Sequence, residues 1–328
     1  MWFRKDKSRD TGPPPQSGTS GGTSGGGAGE LGTSGRPRRL AVEDGAARAR
    51  ETEAALTSGR LPGRVLERME LEKKGDLPWT SDLSVNEWHL LRPFGFRPLG
   101  LVMGSSYYHI GFTAQNRAGM WYSGDVTDVE RAMLDVRRQA LQRMSMEAEA
   151  LGANAVVGVR LELKEPDYGS HEVEFTAFGT AVVLDGEPVP KSPVLCTVDG
   201  ASLVKLLRAG SIPIGLALGV CVYYQASSRQ DMWQVRSWVN QEIPAYTDAV
   251  YQTRNRAVRN MWREASALGA SGVLAHETKL SVHDVEVERG EGDDRLDHIV
   301  EFFTMGTAVH STVVPAKFTP KLTIDAGK

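Results

Sequence analysis

"ALGANAVVGV" (Ala150–Val159) and "ALGASGVLAH" (Ala267–His276) are nearly the same ten residues met twice in one chain, with Gly152 and Gly269 standing 117 positions apart. An apolar stripe runs into each stretch. Met133, Ala140, Met144, Ala148 and Leu151 recur at the same offset as Val250, Ala257, Met261, Ala265 and Leu268. Steps of three, four and seven place such residues along one side of a helix. The helix expected in each copy has about 25 residues and is about 37 Å long. Its other side carries Arg137, Arg138, Gln142 and Arg143, and in the second copy Arg254, Arg256 and Arg259, a face expected to meet water. Gly152 and Gly269 stand where the stripes end, so each is predicted to be a left-handed helix cap.

Strands are expected on both sides of these helices. "RPLGLVMGSSYYHIG" (Arg97–Gly111) answers to "IPIGLALGVCVYYQA" (Ile212–Ala226), with Pro98 and Pro213, Gly100 and Gly215, Gly104 and Gly219 in step. Beyond the caps come "AVVGVRLEL" (Ala155–Leu163) and "GVLAHETKL" (Gly272–Leu280). In the first, Val157, Val159, Leu161 and Leu163 alternate with Gly158, Arg160 and Glu162, the pattern of a half-buried strand with those four on one face. The closing strands are "EVEFTAFGTAVVL" (Glu172–Leu184) and "HIVEFFTMGTAV" (His298–Val309). The second copy is longer before its last strand, and the extra length reads as a charged hairpin loop, "VERGEGDDRLD". Strand, long helix, strand, strand is therefore made twice. One such unit has a small core and leaves sheet edge and face uncovered, which points toward assembly.

The rest of the chain frames this repeat. Residues 11–35 are almost entirely Gly, Ser, Thr and Pro, so 1–38 reads as a disordered tail with nothing to bury. Residues 39–82 turn to Ala, Leu, Glu and Arg, with Val65, Met69 and Leu71 at helical spacing and a break at Pro62 and Gly63, and read as one or two short helices. Ser84 and Glu87 have capping-box spacing, so a short helix is expected from Ser84. The organisation is a first domain at 83–187, a linker at 188–200, a second domain at 201–315 and a C-terminal tail at 316–328.

Charged residues make up 24% of the 328 and apolar ones 41%, the balance of a soluble globular protein. A net charge of -3 argues against nucleic acid as a partner. Two cysteines suit a reducing compartment. The start, "MWFRKDKSRD", lacks the apolar core of a signal peptide. The longest apolar run, Ile212–Tyr224, falls short of the ~20 residues a membrane helix needs. The expectation is a cytoplasmic protein without a membrane span.

"GLVMGSSYYHIG", the helix ending "EAEALGANAVVGVRLE" and the closing "FGTAV" resemble the YbjQ-like family of small bacterial proteins, whose common label is heavy-metal binding. The first copy resembles it from about Gly100 to Asp185, the second more loosely from Gly215 to Val309. The resemblance implies an α+β fold of two tandem dodecin-like β-α-β-β domains, each a small antiparallel sheet packed on one long helix. It implies a homopentameric ring for single-domain members, from which this chain departs by its duplication, its helical segment and its tail. It implies no catalytic residues.

A soft metal site needs clustered Cys and His. Cys196 falls in the linker and Cys221 in a strand. Cys221 answers to Ser106, His276 to Val159 and His109 to Tyr224, so no such ligand is present in both copies. Cys221 reads first as a small core residue and His276 as a core or interface histidine. As ligands of a transition-metal ion they are the candidates of the second domain, on strands expected to be neighbours. His283 and His298 flank the charged loop and are expected to be exposed. Both copies keep Gly104/Gly219, Gly179/Gly306, Thr180/Thr307 and the acids Glu174/Glu301; Glu147 and Glu264 also recur, read as solvated or arginine-paired. Glu174 and Glu301 are the weaker metal candidates, lining a ring pore, against an exposed or cross-strand-paired reading. Tyr107, Tyr108 and His109 lack a nucleophile, and no phosphate loop is present, so no enzyme is expected. The function expected is a homo-oligomer that binds a small ligand or metal ion in inter-subunit pockets; the alternative is a structural or adaptor ring recruiting a protein partner through its N-terminal tail.

Overall fold

The Ala/Leu/Glu/Arg-rich segment before the repeat forms two helices, α1 (Gly45–Thr57) and α2 (Gly63–Lys74). This computed structural model describes residues 45–109, 122–164, 172–235, 237–288 and 294–311, and the tails expected at 1–38 and 316–328 lie outside the described residues. The chain divides into Met1–Arg48, of which the first turn of α1 is described, and Ala49–Lys328, which holds everything below. α2 ends at Gly75, whose φ of 79° returns its N–H to the carbonyls of Leu71 and Glu72. The helix expected from Ser84 is α3 (Val85–Leu91), with both arms of the capping box made: Glu87 N–H donates to Ser84 Oγ at 3.3 Å, and Ser84 N–H to Glu87 Oε2 at 2.7 Å.

The first copy is β1 (Phe96–His109), β2 (Gly124–Asp125), α4 (Thr127–Leu151), β3 (Ala155–Lys164) and β4 (Glu172–Leu184). A short β5 (Val194–Leu195) and α5 (Gly200–Arg208) lead into the second copy. That copy is β6 (Ser211–Gln225), α6 (Arg229–Val235), α7 (Pro244–Ala267), β7 (Gly272–Glu288) and β8 (Asp294–Ser311). The two sheets run β1-β4-β3-β5 and β2-β6-β8-β7. Their main strands are antiparallel, as expected, whereas β5 is parallel to β3. β2 leaves its own copy and pairs with Tyr223 and Tyr224 of β6.

Glycine fixes how closely each helix lies on its strand. A Cβ on Gly104 would sit 2.1 Å from the Ala140 carbonyl oxygen, and one on Gly219 would sit 2.0 Å from that of Ala257. Gly152 (φ 78°) and Gly269 (φ 82°) take the left-handed conformation predicted for them.

α4 differs from the surface helix its periodicity predicts. It is buried along two ladders, Val136, Ala140, Met144 and Ala148 against its own sheet, and Val129, Met133, Arg137 and Leu141 one position over. The second ladder shares a core with Leu218, Val220, Val222, Tyr224 and Phe303 of the second copy. α7 buries one ladder only: Ala249, Thr253, Ala257, Met261 and Ala265. The layers are therefore first sheet, α4, second sheet, α7. Arg137, expected to face water, is buried because a second sheet covers the polar side of its helix.

β3 departs from its expected alternation. Val157 is buried on the opposite face from Val159 and Leu161, because a bulge at Gly158 (φ 64°) adds one residue and reverses the phase. Val157 packs with Leu91, Phe96, Val182, Cys196, Leu203 and Val204 beneath α3 and α5, so the strand's first half is covered on both faces. The charged segment after β7 is mostly not a loop. The β7–β8 ladder continues to Glu288 opposite Asp294, and 289–293 lie outside the described residues.

Candidate functional site: the junction between the two copies

Residues that recur in both copies converge where α4 meets the second sheet. Arg137 Nη2 donates to Glu301 Oε1 at 2.6 Å, and Nη1 donates to the Met133 carbonyl at 3.1 Å. The guanidinium carbon lies 4.4 Å from the ring centroids of both Phe175 and Phe303, one ring from each copy. Arg137 is 1% exposed and Glu301 4%. Removing two charges from water costs several kcal/mol per ion, so such a pair persists only with tight geometry and added partners. Here the second charge and the two π faces supply them.

A polar rim surrounds this centre. Arg138 Nη2 stands 3.3 Å from Glu264 Oε1, Arg256 pairs with Asp125, and Asn260 Nδ2 donates to Glu130 Oε1 at 3.3 Å. Val126 N–H donates to the Val222 carbonyl at 3.0 Å, and Ala226 N–H to Ser123 Oγ at 3.0 Å. Burial pushes the Glu130 carboxyl up, while the Val222 backbone and Asn260 pull it back.

The other recurring residues brace strands. Met103 N–H donates to Glu147 at 2.9 Å, and Leu218 N–H donates to Glu264 at 2.8 Å. Glu147 is buried rather than solvated, and Arg68 of α2 reaches it at 2.8 Å. Burial raises its carboxyl above the usual range, opposed by the Met103 N–H and by Arg68. Thr180 Oγ1 accepts from Asp82 N–H at 3.2 Å, and Thr307 Oγ1 from Thr197 N–H at 2.9 Å, so each threonine holds the segment entering its own copy.

The four metal candidates are not brought together. Cys221 is buried against Ala257 and Phe302, and burial with the neighbouring Glu130 pushes its thiol up to about 12. Burial likewise pushes Cys196 up to about 12. β6 and β7, expected to be neighbours, are separated by β8: Cys221 stands opposite Phe302, which stands opposite Leu280, while His276 lies within the bulge between Ala275 and Glu277. The His276 and His109 side chains lie outside the described residues. Glu174 is half-buried on β4, and Glu301 is the partner of Arg137. Among the described residues no three His, Cys, Asp or Glu side chains group as a metal site. His298, expected to be exposed, is half-buried, with Tyr246 edge-on at 4.4 Å and Asp284 Oδ1 2.8 Å from its Nδ1; His283 is also half-buried. Sequence reasoning missed the Arg137–Glu301 pair. Its signal was present, since both members recur, as Arg254 and Glu174.

The family model described as "Putative heavy-metal-binding" matches residues 97–185 and again 211–312. The chain belongs to the YbjQ family, in tandem. Both matches contain the strand–helix–strand–strand unit that forms the junction. The chain is 36% identical over 253 residues to the encapsulin nanocompartment protein Rv1762c of Mycobacterium tuberculosis, covering 75% of this chain and 91% of that one. It is 44% identical over 64 residues to a UPF0145 protein of Thermococcus kodakarensis, covering 20% of this chain and 55% of that one. A UPF0145 protein of Methanococcus maripaludis is 39% identical over 90 residues, 27% of this chain and 79% of its own. These two relatives answer to about one YbjQ copy, and the mycobacterial protein to most of the tandem. No helix among the described residues is long and apolar enough to cross a membrane.

Proposed function

We propose that the protein is a non-enzymatic homo-oligomer that associates with an encapsulin-type nanocompartment, its YbjQ copies supplying cohesive surfaces that close a ring of chains and its Gly/Ser-rich N-terminal segment the tether to the partner. The observation that carries this reading is the junction itself. Its recurring pair, Arg137 with Glu301, is spent on holding one copy to the next, as is the pair that the recurring Glu264 makes with Arg138. Likeness over most of the chain to a protein named for an encapsulin nanocompartment supports the choice of partner. The composition of residues 11–35 suits a tether, since such a segment spans distance without a core of its own.

The test is co-production with an encapsulin shell protein, followed by sedimentation of the shells. The full chain is expected to travel with the shell. A variant lacking residues 1–38 is expected to stay behind while keeping its number of chains per assembly and its melting temperature. A full chain that never sediments with shells overturns the reading. Native mass spectrometry of the protein, purified without added metal, reads copy number and any bound mass together.

A further inference from the structure

The junction has a giving side on the first copy and a receiving side on the second, and each has a counterpart elsewhere on the chain. The giving ladder of α4, Val129, Met133, Arg137 and Leu141, corresponds to Tyr246, Val250, Arg254 and Val258 of α7. The first four are buried, whereas Arg254 and Val258 are exposed, with Tyr251 beside them at 56%. On the receiving side Leu218, Val220 and Val222 of β6 are buried, whereas their counterparts on β1, Met103, Ser105 and Tyr107, are exposed. The match is fixed by three strands at once: Glu301 stands opposite Val222 and Ser281, and Glu174 opposite their counterparts Tyr107 and Lys164. β2 adds a strand beside Tyr223 and Tyr224. Its counterpart, Gln241–Glu242, is exposed and in no strand, and the counterpart edge at Tyr108–His109 is the outer edge of its sheet.

One chain thus carries both halves of a second junction on surfaces that α4 and the second sheet keep apart. Among the described residues neither Arg254 nor Glu174 has an ion-pair partner. We infer that α7 of one chain seats on the open face of the first sheet of another, with Arg254 pairing with Glu174 of the partner subunit and Gln241–Glu242 extending the edge of the partner's β1. The occupant is a second copy of this chain, by charge complementarity and by repetition of the junction already made within it. Phe302 answers to Phe175, but Phe303 answers to Thr176, so Arg254 meets one aromatic face where Arg137 meets two. The contact between chains is the weaker of the two. At its rim, Arg68 takes at Glu147 the place that Arg138 takes at Glu264. The contact is heterologous, so it closes a ring or runs on as a filament.

This inference rests on the homo-oligomer half of the proposed function and is independent of the nanocompartment. Sedimentation velocity of the full chain at micromolar concentration is expected to show a multimer. Arg254→Glu and Glu174→Arg, each alone, should weaken association at least about tenfold, since like charges then face each other across the contact. The double variant Arg254→Glu/Glu174→Arg should restore the multimer. Independently of charge, Glu242→Cys with Tyr108→Cys should cross-link chains on oxidation, because their counterparts Asp125 and Tyr223 are register partners. The cross-link decides the matter if a charge swap fails to fold. A wild-type multimer indifferent to the swaps and giving no cross-link overturns this contact and leaves the oligomer standing. A wild-type monomer overturns both.

Discussion

Arg137 shows how a residue can be chemically plain in sequence and decisive in the fold. On its helix it is one arginine among several, and only a carboxylate 164 residues away gives it a place. Because both charges are buried, removing one strands the other. Arg137→Met and Glu301→Leu are each expected to lower unfolding free energy by about 3–5 kcal/mol, while the double substitution should recover most of that loss. Urea unfolding of the three variants reads the coupling, and additive losses would contradict it. Glu147 offers a second test at this scale. Its folded-state pKa lies above the usual value, so the native state holds its proton more tightly than the unfolded chain does. This contribution to stability is fully present below the unfolded pKa and is lost as pH rises through the folded one. Glu147→Gln lacks the titration. Wild type should therefore gain stability relative to the variant as pH falls from 7 toward about 4.5, a difference that unfolding at several pH values reads out.

The elements divide into those whose reason is local and those whose reason is a neighbour. Two glycines illustrate the difference. Gly152 has open space where a Cβ would stand and a φ of 78°, so its need for glycine is conformational. Gly104 has ordinary dihedrals but an α4 carbonyl where a Cβ would go. Gly152→Ala should cost about 1 kcal/mol, and Gly104→Ala or Gly219→Ala at least about 2 kcal/mol, since backbone must move from backbone. Equal losses at Gly152 and Gly104, read from denaturation midpoints, would contradict this assignment. The caps, the capping box at Ser84 and the helix stripes were legible because each depends on residues within a few turns. The bulge at Gly158 was not, since it is held by a later segment: Gly158 N–H donates to the Val198 carbonyl and Val159 N–H to that of Cys196. α5 escaped notice although Asp199 precedes Pro213 by the same spacing as Ser84 precedes Pro98. Its register was readable and its role was not: Glu87 of α3 accepts from Gly200 N–H at 2.9 Å, a contact no window of sequence contains.

At the scale of the whole molecule, the duplication and the strand–helix–strand–strand order were open to reading, and the burial of α4 on two sides was not. Periodicity records one apolar stripe, and the second stripe contains an arginine that looks polar until its partner is in place. The same reasoning explains why the candidate metal ligands read as a pair: offsets placed them in one copy, but strand order put β8 between them. The segment Gly186–Lys191 is exposed, whereas the copies share a core and β2 of the first pairs with β6 of the second. A protease site inserted there and cut should leave the halves together, with the melting temperature within a few degrees of the uncut chain. Separation on a sizing column after cleavage would contradict a shared core.

The junction within the chain also bears on parity and on divergence. Copies arrive in covalently fixed pairs whose shared contact is already filled, so any closed ring of intact chains with all copies engaged holds an even number of them. Fusion has a genetic consequence as well. In a ring of identical single copies, a substitution at the contact is repeated at every joint at once. In the assembly proposed above, the joint within the chain and the joint between chains are encoded at different positions and would be able to drift apart. Phe303 facing Arg137, where the other copy offers Thr176, is a difference of that kind. The joint within the chain is a buried core, and the contact proposed between chains would do without that second ring.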